Sequence, residues 1–361
     1  MIFEKYSSNT YAGSGNQLFF TSDEKEVHTG RVFYKISVGG KYNYSLLFSN
    51  IMDSTYSDGS VSHKNLICDS WVIHKARIGK SKDARVCEKA DFDVYDFTDI
   101  SFGGQKAKTV MPGEFFYSDA VQLEYEKGEY LCLEITFSGK MIPYHEETLL
   151  PVFIKNNDVW EYSKFMPFAG MVGCDRQVKG KIAYLGDSIT QGIGAAPNSY
   201  AHWNAVLSEK LGDGYSYWNL GLGYGRANDA ASDGAWLYKA KQNDIIFVCY
   251  GVNDINKGQS EQQIKNDLTY IVDTLKNAGK KVILQTVPPF DYREENIGKW
   301  ERINSYILTE LKSKADFVFD NTKILGKKEK PSDALYGGHP DEIGCKIWAE
   351  ALFEELNIDK L

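Results

Sequence analysis

The chain lacks any hydrophobic run near the roughly 20 residues that a membrane span requires; its longest, Ile245 to Tyr250, is the size of one β-strand. The opening MIFEKYSSNT has no basic stretch followed by an apolar one, so no signal peptide is read there. Basic clusters are missing too. Lys and Arg number 41 against 49 Asp and Glu, a formal charge of −8, which leaves a polyanion little to hold. Nucleic acid and membrane are therefore not expected partners. The six cysteines (Cys68, Cys87, Cys132, Cys174, Cys249, Cys345) show no CxxC spacing. Neither a metal site nor a disulfide framework is expected, and a reducing cytoplasm fits best; a secreted chain whose leader had been removed would read the same. No internal repeat and no low-complexity segment is present.

What is there suffices for two domains. The 361 residues are 43% apolar and 25% charged, the proportions of a globular chain longer than one mean domain. Residues 1–175 read as short strands broken by turn signals. Gly39-Gly40 separates VFYKISV from KYNYSLLF, Asp58-Gly59 follows a Ser/Thr/Tyr stretch, and Lys127-Gly128 splits VQLEY from EYLCLEITF. Alternation in Val121, Leu123 and Tyr125, and again in Leu131, Leu133 and Ile135, predicts an antiparallel, jelly-roll-like β-sandwich.

Residues 176–361 change rhythm after a short Gly-rich link. Strand candidates Ile182–Leu185, Tyr215–Leu220, Ile245–Tyr250, Val282–Val287 and Phe317–Phe319 alternate with amphipathic segments. The clearest starts at Ser260 with Gln263 set for a capping box, continues through Ile264, Leu268, Ile271 and Leu275, and stops at Gly279. Another carries Ile297, Trp300, Ile303, Ile307 and Leu311, and the last follows His339-Pro340. The pattern predicts an α/β domain with a five-stranded parallel sheet and helices on both faces.

Ligands of open parallel sheets bind beyond the carboxyl ends of the strands. There the loops bring Gly186-Asp187-Ser188-Ile189-Thr190, then Asn219 to Arg226 with Gly221, Gly223 and Gly225, then Gly251-Val252-Asn253-Asp254, and finally Asp333 to Pro340. One edge thus carries a serine, a glycine-rich backbone, an asparagine and a histidine. That set can perform acyl transfer. Ser188 is the candidate nucleophile, although a serine at a strand-to-helix turn is ordinarily a cap, and Asp187 competes for that use. Asn253 is the candidate side-chain donor to an oxyanion, against the ordinary turn asparagine. Asp254 is read as structural. His339 is the candidate general base, and only it among the six histidines falls in a loop on this edge. His145 could approach from the first domain. A nucleotide reading of GLGYGR fails on the GxGxxG spacing.

GDSIT, the Gly-rich loop, GVND and the terminal HP before a helix, in that order, resemble the four blocks of the SGNH/GDSL hydrolases. The resemblance covers about Lys181 to Leu361. It implies a flavodoxin-like sheet, esterase or lipase activity, and no metal or organic cofactor. FSN (Phe48–Asn50), FGG (Phe102–Gly104), TVMPGE (Thr109–Glu114) and YSDAVQL (Tyr117–Leu123) look like the sandwich domain of a subgroup often called carbohydrate or xylan acetyl esterases. The Gly225-Arg226 pair resembles a Gly-Arg of the family and marks Gly225 as the backbone oxyanion donor, with Gly223 as the alternative. The family's orienting acid lies three residues before its histidine, where this chain has Tyr336. Asp333, six before, can complete a triad if the loop bulges; otherwise a Ser–His dyad leaves a carbonyl or water to orient the imidazole. Trp203, Tyr224, Phe290, Trp300 and Tyr336 lie in or near these loops and could stack on sugars, core packing being their ordinary use. The expected substrate is a short-acyl, acetyl ester on a small molecule or oligosaccharide. A thioesterase or lysophospholipase on the same sheet, and a catalytically inactive glycan-binding protein, are the alternatives. The sequence does not speak to oligomeric state.

Overall fold

The computed structural model describes residues 3–16, 19–21, 23–54, 64–145, 149–164, 170–325 and 338–360. Two large antiparallel sheets, with a two-stranded one of Phe19–Thr21 and Met141–Pro143, form the N-terminal half. One runs Ser7–Ser8, Met171–Cys174, Gly40–Ser49, with Phe115–Tyr117 and Val121–Tyr125 both pairing to the last. The other runs Val159–Tyr162, Val152–Asn156, His28–Lys35, Tyr130–Gly139, Trp71–Ser81, Tyr95–Ile100, with Lys108–Val110 also on Trp71–Ser81. Val32, Leu46, Phe48, Ile73, Leu133 and Val172 fill the space between them.

Glycine turns shape this half, but not as hairpins. The strand before Gly39-Gly40 lies in one sheet and the strand after it in the other, and the same holds on either side of Lys127-Gly128. Each turn is an arch across the core. The arches brace one another, Ile36 N–H donating to Glu129 O at 2.8 Å and Gly128 N–H to Ile36 O at 2.9 Å. The Asp58-Gly59 turn lies outside the described residues. The short motifs of this half are turn chemistry as well. The Asp119 carboxylate of YSDAVQL accepts from Ser101 Oγ, Gly103 N–H and Gly104 N–H at 2.6, 3.0 and 2.7 Å, tying it to FGG. Those three donors hold the Asp119 carboxyl below the usual carboxylate range.

In the second half the strands Tyr215–Asn219, Gly180–Gly186, Ile245–Cys249, Lys281–Gln285 and Phe317–Phe319 lie side by side in that order, all parallel. The first strand in sequence therefore sits between the second and third. Chain direction across the sheet reverses there, and the crevice this opens is where such sheets bind ligands. Two groups of helices cover the sheet. Trp203–Leu211 packs on Glu342–Glu355, with Trp203 stacked on Trp348 at 5.0 Å, while Glu261–Asn277 packs on Glu294–Thr309. The cap expected at Ser260 is half realised. Its hydroxyl accepts from Gln263 N–H at 3.2 Å, but the Gln263 side chain turns to Asp267 at 2.8 Å.

The halves share a core. Phe3, Tyr6, Leu47 and Met171 pack with Tyr184, Trp218 and Leu237 of the parallel-sheet domain. Trp218 Nε1 donates to Ser14 Oγ at 2.9 Å and Gly170 O at 2.7 Å. Asp53 of the sandwich and Lys239 of the helix Ala235–Ala240 form an ion pair with both side chains almost wholly buried. Removing one member of such a pair strands the other charge without water. Lys239→Met is expected to cost about 3–5 kcal/mol, and Lys239→Met with Asp53→Leu less than Lys239→Met alone, read as unfolding midpoints of the full chain.

Candidate active site

Ser188 and Asn253 stand in the first turns of short helices, and His339 lies in the loop before the longer helix Glu342–Glu355. Strand Gly180–Gly186 ends in a sharp turn into Ser188–Gln191, with the Asp187 carboxylate capping Ile189 N–H at 3.0 Å. The turn is tight enough that a side chain at Gly186 would stand 2.1 Å from Thr190 Oγ1 and 2.6 Å from Cys249 O. Ser188 is thereby left at the lip of the sheet, half-buried. His339, 151 residues away, meets it: Ser188 Oγ and His339 Nε2 are 2.8 Å apart. Gly338, at φ +85°, leaves room for Phe290, whose ring stands at 79° to the imidazole with centroids 5.2 Å apart.

Asn253 begins the turn Val252–Asn256 at the end of the neighbouring strand, and its Nδ2 donates to Gly225 O at 2.9 Å. An amide carries two N–H donors, so this bond also sets where the second points. The Gly225 N–H, expected at the oxyanion, donates to Leu222 O at 3.1 Å within its own turn. Glycine is required there because Trp236 passes 2.6 Å from where a Cβ would sit. Asp254 is structural, as expected: buried, it accepts from Ala227 N–H at 3.0 Å and Asn228 N–H at 3.3 Å and so anchors the helix Ala227–Ala230. Asp333 and Tyr336 lie outside the described residues.

Ser188, His339, Asn253 and the Gly221–Gly225 loop are therefore brought to one edge, a hydroxyl against an imidazole with amide donors alongside. Such a group can activate an oxygen nucleophile and stabilise an oxyanion. Of the aromatics singled out, Trp203 and Trp300 are core residues, the latter bonded through Nε1 to Val287 O at 2.8 Å. Tyr224 and Phe290 stay half-buried in the site loops. Sequence reasoning missed the residues that hold this edge from behind. Asn204 Nδ2 donates to Thr190 O at 2.6 Å, and Asn219 Oδ1 accepts from Gly221 N–H at 2.9 Å. Neither has a local signature. Among the described residues no group of three or more His, Cys, Asp or Glu could hold a metal ion, and no helix is long and apolar enough to cross a membrane.

Residues 184–347 match the GDSL-like lipase/acylhydrolase family. Among solved structures, a lipolytic G-D-S-L family member from Veillonella parvula is 18% identical over 50% of this chain and 99% of its own, with a TM-score of 0.41. An acetyl xylan esterase is 20% identical over 49% of this chain and 99% of its own, at 0.40. A family two carbohydrate esterase from Cellvibrio japonicus is 14% identical and spans 97% of this chain and 96% of its own, at 0.39. No curated protein sequence matches the chain.

Four buried groups around the site titrate out of range. Burial pushes Asp187 and Asp254 up to about 7 and pushes His145 and His202 down to about 4. The carboxyls contribute stability at low pH that is lost as pH rises through about 7; the histidines contribute stability above pH 6.5 that is lost as pH falls toward about 4. Across the window between, the two slopes oppose and these four groups nearly cancel. Asp254→Asn removes one opposing carboxyl, so the variant is expected to lose stability on acidification by up to about 1.4 kcal/mol per pH unit relative to wild type. Denaturant unfolding at several pH values from 4.5 to 6.5 measures it; equal slopes for variant and wild type contradict it.

Proposed function

We propose that the protein is a carboxylic ester hydrolase that removes short acyl groups, acetyl above all, from a carbohydrate; the match of residues 184–347 to the GDSL-like lipase/acylhydrolase family supports this reading. The observation that carries the mechanism is the 2.8 Å contact between Ser188 Oγ and His339 Nε2. In this reading His339 Nε2 takes the Ser188 proton as Oγ attacks the ester carbonyl. The oxyanion that forms is met by Ser188 N–H at the helix start and by the Asn253 amide, held in aim by Gly225 O. The glycine-rich loop adds a further donor: Gly225 N–H, shared with Leu222 O, or Gly223 N–H. The alcohol departs with the proton from His339. Water then repeats the steps in reverse order and frees the acid, so each proton taken by the imidazole is returned. Asp333 completes a triad, or a backbone carbonyl or water orients the imidazole of a dyad.

Two features favour a short acyl group on a sugar. The sequence offers no long apolar helical lid to shelter a fatty chain. Tyr224 and Phe290 stand half-buried in the loops that carry the site, where their faces suit a pyranose ring.

The test is hydrolysis of p-nitrophenyl acetate and butyrate with acetate release from acetylated xylan. Wild type is expected to prefer acetate, and Ser188→Ala to abolish turnover. Asn253→Ala is expected to lower kcat by about 10²–10³. Asp333→Ala lowers the rate by up to about 10⁴ in a triad and hardly at all in a dyad. A butyrate or longer-chain preference points to the thioesterase or lysophospholipase reading. No turnover on any ester, or full activity in Ser188→Ala, moves the inactive glycan-binding protein to the front.

A further inference from the structure

The helix that begins at Ser188 has four residues and ends at Gln191. So short a helix cannot hold its own geometry, because its few hydrogen bonds do not offset the cost of ordering it. The Asp187 cap fixes its start. What fixes its other end comes from the opposite domain. The buried Gln191 side chain reaches His145, which follows the strand Met141–Pro143 of the N-terminal half, through Gln191 Nε2 and His145 Nε2. His145 Nδ1 in turn faces the carbonyl of Gly15. A carbonyl oxygen only accepts, so Nδ1 carries the proton and Nε2 is left to accept from the Gln191 amide. Accepting at Nε2 requires a neutral imidazole, whereas the Nδ1 bond forms in either protonation state. Burial, which pushes His145 down to about 4, keeps it neutral at ordinary pH.

The strand of chain around Gly15 completes the brace. A Cβ at Gly13 would stand 3.1 Å from Gln191 Cγ, and one at Gly15 would stand 2.8 Å from Leu222 Cβ and 3.2 Å from Gly221 O. Ser14 Oγ donates to Asn219 O at 2.7 Å, and Asn219 Nδ2 lies 3.4 Å from Gln191 O. One segment of the N-terminal half therefore lies against both the Ser188 helix and the glycine-rich loop.

From this geometry we infer that His145 and Gln191 are positioning residues, through which the sandwich domain holds the Ser188 helix in register with His339 and the oxyanion donors. The inference rests on the esterase reading, with Ser188 as nucleophile. Both side chains are buried. Their effect is on where Oγ stands, and a displacement of about 1 Å at a reacting atom can cost about 10²-fold in rate.

The experiment uses the full chain and a p-nitrophenyl alkylphosphonate, which labels an activated serine without calling on a natural alcohol site. Phosphonylation rate, kcat and KM for p-nitrophenyl acetate, and thermal midpoint are measured for wild type, His145→Leu, Gln191→Met and His145→Gln. His145→Leu and Gln191→Met are expected to slow both phosphonylation and kcat by about 10- to 100-fold, with KM within about twofold of wild type. His145→Gln, which keeps a donor and an acceptor, is expected to recover most of the loss. If both apolar variants fold and label at the wild-type rate while only their thermal midpoints fall, the clamp is structural and the inference is overturned. A variant that unfolds is replaced in the comparison by Gly15→Ala, which presses on Leu222 from the same strap and is expected to show the same slowed labelling. Wild type that resists labelling overturns the nucleophile assignment itself, and the clamp's role with it.

Discussion

Three helices of four or five residues, Ser188–Gln191, Ala227–Ala230 and Val252–Asn256, stand where the site is assembled, and none has enough turns to be stable by its own hydrogen bonds. Their geometry is instead a closed set of contacts between loops. Asp254 receives the first N–H groups of Ala227–Ala230, Gly225 O receives the Asn253 amide, and Asp187 caps the Ser188 turn. The Asp254 and Asn253 bonds each fix one loop against its neighbour, and the Asp187 bond fixes the Ser188 turn within itself. Rigidity of this kind suits an oxyanion site, since donors already in place need no reorganisation when charge develops.

That arrangement places carboxylates where water is scarce. Asp187 and Asp254 are both wholly buried, and burial, joined by the Asp254 charge near Asp187 and the Asp229 charge near Asp254, raises the proton affinity of each. Backbone N–H donors partly offset the burial at each. The acids serve as anchors for backbone, and the side chains at the candidate site are a hydroxyl, an imidazole and an amide.

The junction with the sandwich explains why the second half does not stand as an isolated layer. The buried Asp53–Lys239 pair, the Ser14 bonds to Asn219 and Trp218, and the bond from Ser7 Oγ to Arg176 O lie along one seam. Directional bonds along an apolar seam specify one docking of the two halves, where apolar contact by itself would tolerate sliding. The His145–Gln191 contact sits on this seam, beside the Ser188 helix.

Strand and helix order is legible in the sequence, because apolar periodicity and caps are local. Ile245–Cys249 and Glu261–Asn277 emerge within a residue or two of where the pattern places them. The sequence also placed Ser188, Asn253 and His339 on one edge, since in a parallel sheet every loop after a strand leaves from the same side. Only the tertiary structure decided which partners meet. Whether Gly39-Gly40 and Lys127-Gly128 make hairpins or arches depends on pairing with strands far along the chain. That Gly225 offers its carbonyl to Asn253 while its N–H stays with Leu222, and that His145 backs the Ser188 helix from behind instead of entering the cleft, are likewise matters of packing. Residues 151 and 46 positions apart, as in Ser188–His339 and His145–Gln191, leave no mark on local pattern: the first pair meets only when the parallel-sheet domain folds, the second only when the two halves close on a common core.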